Sequence, residues 1–135
     1  HDLEIGKVSR SAGRTATEAD NTMFCMLSGD WNPIHANADY AAETRFGQRV
    51  IPGLFGVSLI TGAMGQWGIF EESILAMLNL KDWEFKAPIF IGDTIYVEME
   101  IATQASAKPA LTVYLTAAFA QKFVLIVITL NLVSM

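Results

Sequence analysis

At 135 residues, 52% apolar and only 17% charged, the chain can bury a core of its own, yet it is greasy for a small monomer. The apolar excess is expected to go into a subunit interface or an acyl-sized pocket. A formal charge of −5, with nine basic residues scattered singly, argues against nucleic acid and an anionic membrane surface as partners. The single cysteine, Cys25, cannot close an internal disulfide, so a reducing, cytoplasmic compartment is expected. One Cys and two His, one of them His1, put a structural zinc site out of reach.

In chain order, Leu3 to Arg10 reads as a short edge strand, and Asp2, Glu4 and Lys7 fall where a signal peptide would need an apolar core. Thr17, followed by Glu18 and Asp20, predicts a helix start, a hydroxyl cap with acids in the first turn. Met23, Phe24 and Leu27 are expected to form its buried face, with Gly29 ending it. A second helix is predicted from Asp39 to about Arg45, ending near Gly47. Pro52-Gly53 opens a third, uncharged helix running to about Trp67, with Gly56, Gly62 and Gly65 inside it. Glycines weaken a helix, so they suit one that is buried with another backbone close by.

After Lys81 the pattern changes to period two. Ile95, Val97, Met99 and Ile101 alternate with polar residues, as do Leu111, Val113, Leu115 and Ala117, giving strands with one face buried. Phe123 to Val133 suits a central strand; its longest apolar run falls well short of the ~20 residues of a membrane helix. Turns are expected at Lys108-Pro109 and Gln121-Lys122. The whole, residues 1–135, reads as one α+β domain in which a sheet covers a buried helix.

The most informative stretch is SGDWNPIH, Ser28 to His35. It places a carboxylate (Asp30), a carboxamide (Asn32) and an imidazole (His35) in one turn-forming run stiffened by Trp31 and Pro33. An acid and a base five positions apart can converge on one small molecule and move a proton. Each residue also has a structural alternative: Asp30 as an Asx-turn residue, His35 as a hydrogen-bonded core histidine. Cys25 reads as a buried helix residue, Trp31, Trp67 and Trp83 as core or interface, and Glu71-Glu72 as a solvated helix end.

Three further motifs accompany it in order: RTATEAD (Arg14 to Asp20), RFGQRVIPGLFGVSLITG (Arg45 to Gly62) and KAPIFIGDTIYVEMEI (Lys86 to Ile101). Together these resemble the MaoC-like, (R)-specific enoyl-CoA hydratase family, which has the hot-dog fold. The resemblance implies a sheet wrapped around the helix from about Gly53, and homodimers with a continuous sheet. It implies addition of water to a trans-2-enoyl thioester to give an (R)-3-hydroxyacyl thioester, or the reverse dehydration. The family's catalytic pair falls on Asp30 and His35, and its oxyanion donor on the backbone N–H of Gly53. The chain departs from the family at Pro52, where many members carry histidine, and at Thr61, the small hydroxyl residue two turns into the helix. Both line the substrate end of the expected site.

Such a hydration needs a base for the water, an acid for C2 and a holder for the enolate oxygen. Asp30 and His35 can share one water, and Gly53 at a helix N-terminus offers a free N–H and the positive end of the dipole. Asn32 is expected to orient the loop or the water, and Thr61 and Val57 to line an acyl path along the helix. No metal or redox cofactor is required; coenzyme A or an acyl carrier protein carries the substrate. Two rivals remain: a thioesterase on the same fold, and a non-catalytic acyl-binding or dimerisation module. The absence of Asp or Glu between Gly53 and Phe70 counts against the first, and the intact Asp30/His35 pair against the second.

Overall fold

The computed structural model describes residues 5–68, 74–81, 85–103, 110–118 and 126–134. Its elements are β1 (Val8–Arg10), β2 (Arg14–Thr15), α1 (Glu18–Ser28), α2 (Pro33–Ala36), α3 (Ala38–Ala42), α4 (Gly53–Gln66), β3 (Ile74–Lys81), β4 (Thr94–Thr103), β5 (Ala110–Ala118) and β6 (Ile126–Ser134). The strands form one antiparallel sheet ordered β1-β4-β5-β6-β3, with β2 also paired to β4. The expected α+β arrangement holds, with β1 at the sheet edge and β6 between β5 and β3. Leu3, Glu71, Glu72, Trp83 and the turns at Lys108-Pro109 and Gln121-Lys122 lie outside the described residues, as does the start of the run at Phe123.

Helix α1 starts as its sequence predicts. The Asp20 backbone N–H donates to Thr17 Oγ1 at 3.2 Å, and the Thr17 N–H donates to Asp20 Oδ2 at 2.9 Å, a reciprocal capping box. Burial alone would raise the Asp20 carboxyl. Hydrogen bonds from the Thr17 backbone and hydroxyl, with the Arg14 charge, outweigh that and hold it below its usual value. The lowered folded-state value means the cap stabilises fully above the normal carboxylate range and is lost only as pH falls through the lowered value. Gly29 closes the helix at φ 73°, a left-handed cap that donates to the Cys25 carbonyl at 2.9 Å.

The buried face of α1 is not the expected one. Met23 and Leu27 are 68% and 85% exposed, whereas Asn21 and Cys25 are buried and Phe24 is half-buried. Only Phe24 reaches inward as expected, its ring edge-on to Phe55 of α4 with centroids 5.9 Å apart. Such an aromatic pair adds about 0.5–1.5 kcal/mol beyond its buried area. Cys25 is buried as expected, and burial, then the Asp30 charge, raises its thiol, so it stays protonated. Trp67 packs against the core, while Trp31 is half exposed.

Helix α4 runs Gly53–Gln66 with Trp67 as its C-cap, as the sequence predicts. It lays Phe55, Ile60 and Ala63 against Ile95, Val97 and Met99 of β4, whose alternate residues are buried to 1–3% exposure. That contact, along most of the length of the helix, fixes it relative to the sheet. Among the described residues, nothing lies within 4 Å of a Cβ built on Gly62 or Gly65, so no described backbone packs closely there. The close approach is at Gly53 instead: a Cβ there would come within 2.6 Å of the Phe85 ring.

The second predicted helix is shorter, Ala38–Ala42, followed by turns to Gly47 at φ 69°. Strand β3 was not expected. It pairs with β6 through register shifts between Ile74 and Ala76 and between Met77 and Asn79.

Candidate active site

The run from Ser28 to His35 folds as a chain of local caps. Ser28 Oγ accepts from the Asp30 N–H at 3.2 Å, and Asp30 Oδ1 accepts from the Asn32 N–H at 3.3 Å. Asn32 Oδ1 then accepts from the Ile34 N–H at 3.1 Å and caps the one-turn helix α2, with Pro33 at its first position. Asp30 is therefore an Asx-turn residue, as the structural alternative has it, but only through Oδ1. Its Oδ2 points elsewhere, to His35 Nε2 at 3.6 Å.

His35 is held on both sides. Its Nδ1 bonds to the Val50 carbonyl, which can only accept, so Nδ1 donates there, and in the neutral tautomer that this bond selects Nε2 presents a lone pair. Its own backbone carbonyl accepts from Asn21 Nδ2 at 2.9 Å. The Val50 N–H in turn donates to the Ile34 carbonyl at 3.1 Å, and the Ile51 N–H to Ile89 at 2.8 Å. The segment that clasps His35 therefore leads, two residues later, into Pro52 and Gly53. This coupling fixes the imidazole relative to the α4 N-terminus.

The His35 side chain is 14% exposed and that of Asp30 is 49% exposed, so solvent reaches the pair mainly at the carboxylate. At 3.6 Å the two acceptors are too far apart for a direct hydrogen bond, but one oxygen can sit about 2.8 Å from both. Pro52, buried, is the N-cap of α4, and Gly53 as its first residue has no helical carbonyl for its N–H. His35 and Gly53 line one cavity of about 340 Å³, walled by Val50, Ile51 and Ile89 and by the Phe85 ring. That volume is in the range of small-molecule sites.

Asn32, Val57 and Thr61 do not line this cavity. Asn32 orients the loop as its cap. Val57 packs half-buried against the core, and Thr61 is exposed, donating from Oγ1 to the Ser58 carbonyl at 2.7 Å. A second cavity, about 240 Å³, lies between α4 and β4 and includes Ser58 and Gly62 but neither Val57 nor Thr61.

Asn21, Val50 and Phe85 were not anticipated in the site. Asn21 is 2% exposed, and its Oδ1 has no hydrogen-bond partner among the described residues, an uncommon state for a buried amide. Its Nδ2 is what the fold uses, to hold His35. Replacing Asn21 by Leu removes this bond together with the unpartnered oxygen, so the melting temperature should change little. The freed His35 backbone should lower kcat by about ten- to a hundredfold, as small misplacements of a reacting group do. Steady-state rates and thermal unfolding on one preparation check this; an unchanged kcat would reduce Asn21 to packing.

His35 and the first residue of α4, Gly53, thus share one small cavity on an α+β scaffold, with Asp30 next to His35. Residues 3–125 match the family model of the MaoC like domain. The chain is 34% identical over 110 residues to an (R)-specific enoyl-CoA hydratase of Aeromonas caviae, covering 82% of this chain and 79% of that protein. It is 33% identical over 124 residues to an (R)-specific enoyl-CoA hydratase of Rhodospirillum rubrum, covering 92% and 83%. The solved structure of the (R)-hydratase from A. caviae involved in PHA biosynthesis superposes with a TM-score of 0.81 at 30% identity, over 98% of this chain and 97% of that one. The chain belongs to the MaoC-like domain family and has its hot-dog fold.

Proposed function

We propose that this MaoC-like protein is a hydro-lyase that adds water across the trans double bond of a 2-enoyl thioester, giving an (R)-3-hydroxyacyl thioester, or removes it in reverse. Its named relatives are hydratases, together with a 3-hydroxybutyryl-CoA dehydratase of Methylorubrum extorquens, and these reactions are the two directions of one equilibrium. The observation that carries the proposal is Asp30 Oδ2 lying 3.6 Å from Nε2 of His35, whose Nδ1 is bonded to the Val50 carbonyl, beside the cavity that His35 and Gly53 line.

A water bound to both acceptors gives up one proton as its oxygen bonds to C3. The π electrons move toward the thioester carbonyl, and the enolate oxygen is held by the Gly53 N–H and the α4 dipole. The pair then returns a proton to C2 from the same face, so H and OH add syn and no atom is left over. In this scheme Asp30 and His35 supply all the proton transfer, and neither a metal nor a redox cofactor takes part.

The test is loss of the conjugated enoyl-thioester absorbance of crotonyl-CoA with no free thiol released. Thiol release without hydration would instead mark a thioesterase; neither signal would leave an acyl-binding module.

The protein is expected to be at least a dimer. Met23, Met26 and Leu27 are each about two-thirds exposed or more on one helix, Trp31 is half exposed, and among the described residues β1 ends the sheet. No helix of the described residues is long and apolar enough to cross a membrane. Sedimentation equilibrium at micromolar concentration should give at least twice the 14.8 kDa chain mass; a clean monomer would contradict this.

A further inference from the structure

The hydration scheme makes no use of Asp93, whose carboxyl side chain is 5% exposed just before β4. Asp93 does not line the cavity that His35 and Gly53 share, so it meets no substrate there. Its Oδ2 accepts from the Phe90 N–H at 2.9 Å, and its own N–H donates to the Phe90 carbonyl at 3.2 Å. These two bonds close the turn from Phe90 to Asp93, with Gly92 at φ 97° supplying the reversal.

Both arms that hold His35 start from this turn. On one side Phe90 bridges antiparallel to Val50, and the Ile51 N–H donates to the Ile89 carbonyl at 2.8 Å. The Val50 carbonyl then accepts from His35 Nδ1. On the other side Ala16, 1% exposed, is paired with the turn in both directions. Its N–H donates to the Asp93 carbonyl and its carbonyl accepts from the Gly92 N–H, each at 2.8 Å. The next residue is Thr17, the N-cap of α1, and one helical turn later Asn21 Nδ2 holds the His35 carbonyl. Ring and backbone of His35 are thus fixed from one junction, and the Asp93 carboxyl is the side chain that closes it.

We infer that Asp93 is a positioning residue for His35, acting through Phe90 and Val50 rather than on the substrate. The kinetic half of this inference rests on the function proposed above; the placing of the imidazole does not. Without the carboxyl, the Phe90 N–H loses its acceptor and the turn relaxes. The Val50 carbonyl moves with it, and proton transfer is sensitive to small displacements of the reacting group.

The experiment compares the unaltered protein with Asp93→Ala, Asp93→Asn and Val97→Ala, the last a core truncation on β4 that leaves the turn alone. Asparagine keeps a carbonyl oxygen for the Phe90 N–H and alanine does not. With crotonyl-CoA, Asp93→Ala should lower kcat about tenfold and change KM by less than about twofold, and Asp93→Asn should recover most of the rate. A second measure needs no activity. His35 is one of two histidines, the other being His1, so isotopic labelling of histidine nitrogen isolates its Nδ1–H in NMR spectra. In the unaltered protein and in Asp93→Asn that proton should be resolved far downfield, protected by its bond to Val50. In Asp93→Ala it should shift or broaden. Val97→Ala should lower the melting temperature and leave both measures in place. The inference is overturned if Asp93→Ala keeps either its kcat or its Nδ1 proton, if Val97→Ala disturbs them as much, or if Asp93→Asn does no better than alanine. Should Asp93→Ala fail to fold, Asp93→Leu, which fills the space without offering an acceptor, is read by the same two measures. If the unaltered protein does not hydrate crotonyl-CoA, the proposed function fails by itself, and the Nδ1 proton alone decides the role of Asp93.

Discussion

Asp30→Asn is expected to lower kcat by about 10²–10⁴ while leaving the fold in place. Asparagine keeps a carbonyl oxygen to accept from the Asn32 N–H, so the turn that Oδ1 now holds survives. What changes is the atom facing His35. In place of a carboxylate oxygen 3.6 Å from Nε2, the variant can present an amide N–H₂, which would donate to that lone pair and remove base and partner together. His35→Ala should lose activity to the same degree, but with a different stability signature. It strips the Val50 carbonyl of its Nδ1 partner in a part-buried setting, which costs about 1–3 kcal/mol. Enoyl absorbance assays and thermal unfolding on both variants separate the two effects. Retention of more than about a tenth of the wild-type kcat by Asp30→Asn would sink the acid–base assignment.

Much of this site was legible before any coordinates, and the residues that were not share a cause. Helix α4 could be placed from Pro52-Gly53 to Trp67 because proline, glycine and an uncharged run are local signals, and Thr17 announced α1 for the same reason. The face of α1 was misread because its buried positions are Asn21 and Cys25, four apart, while its greasiest residues, Met23, Met26 and Leu27, point outward. Hydrophobic periodicity reports burial only when apolar residues are the ones buried. Asn21 is buried for its amide, to hold the His35 carbonyl, and nothing local to position 21 tells of a partner fourteen residues away. The grip of Val50 on His35 is made by a backbone carbonyl, which every residue has, so no residue type can signal it. Strand β3 is hidden differently. Its Leu, Ala, Met, Asn and Lys are weak strand formers, and its pairing carries two register shifts. The pairing of β3 with β6 is a long-range choice that only the finished sheet makes.

Gly53→Pro should separate the oxyanion role of the α4 N-terminus from its packing. Proline is tolerated at the first position of a helix, where its missing N–H is not needed for helical bonding. Pro52, at φ −52° and ψ 131°, already has the extended backbone that a following proline demands. The substitution therefore deletes the donor proposed for the enolate oxygen while sparing the helix. It also adds a Cβ, which would meet the Phe85 ring at 2.6 Å, and that alone could disturb the cavity wall. Gly53→Ala supplies the control: it brings the same Cβ but keeps the N–H. Phe85 is 54% exposed and meets the new atom with its ring edge, so the ring can turn aside, and Ala should cost stability of about 1 kcal/mol and only a modest loss in rate. The difference between Pro and Ala should then be about 10²–10³ in kcat, the worth of an oxyanion donor, with similar KM for crotonyl-CoA. If the two variants slow the reaction equally, the enolate oxygen is held elsewhere, and Gly53 is required only because no side chain fits beneath Phe85.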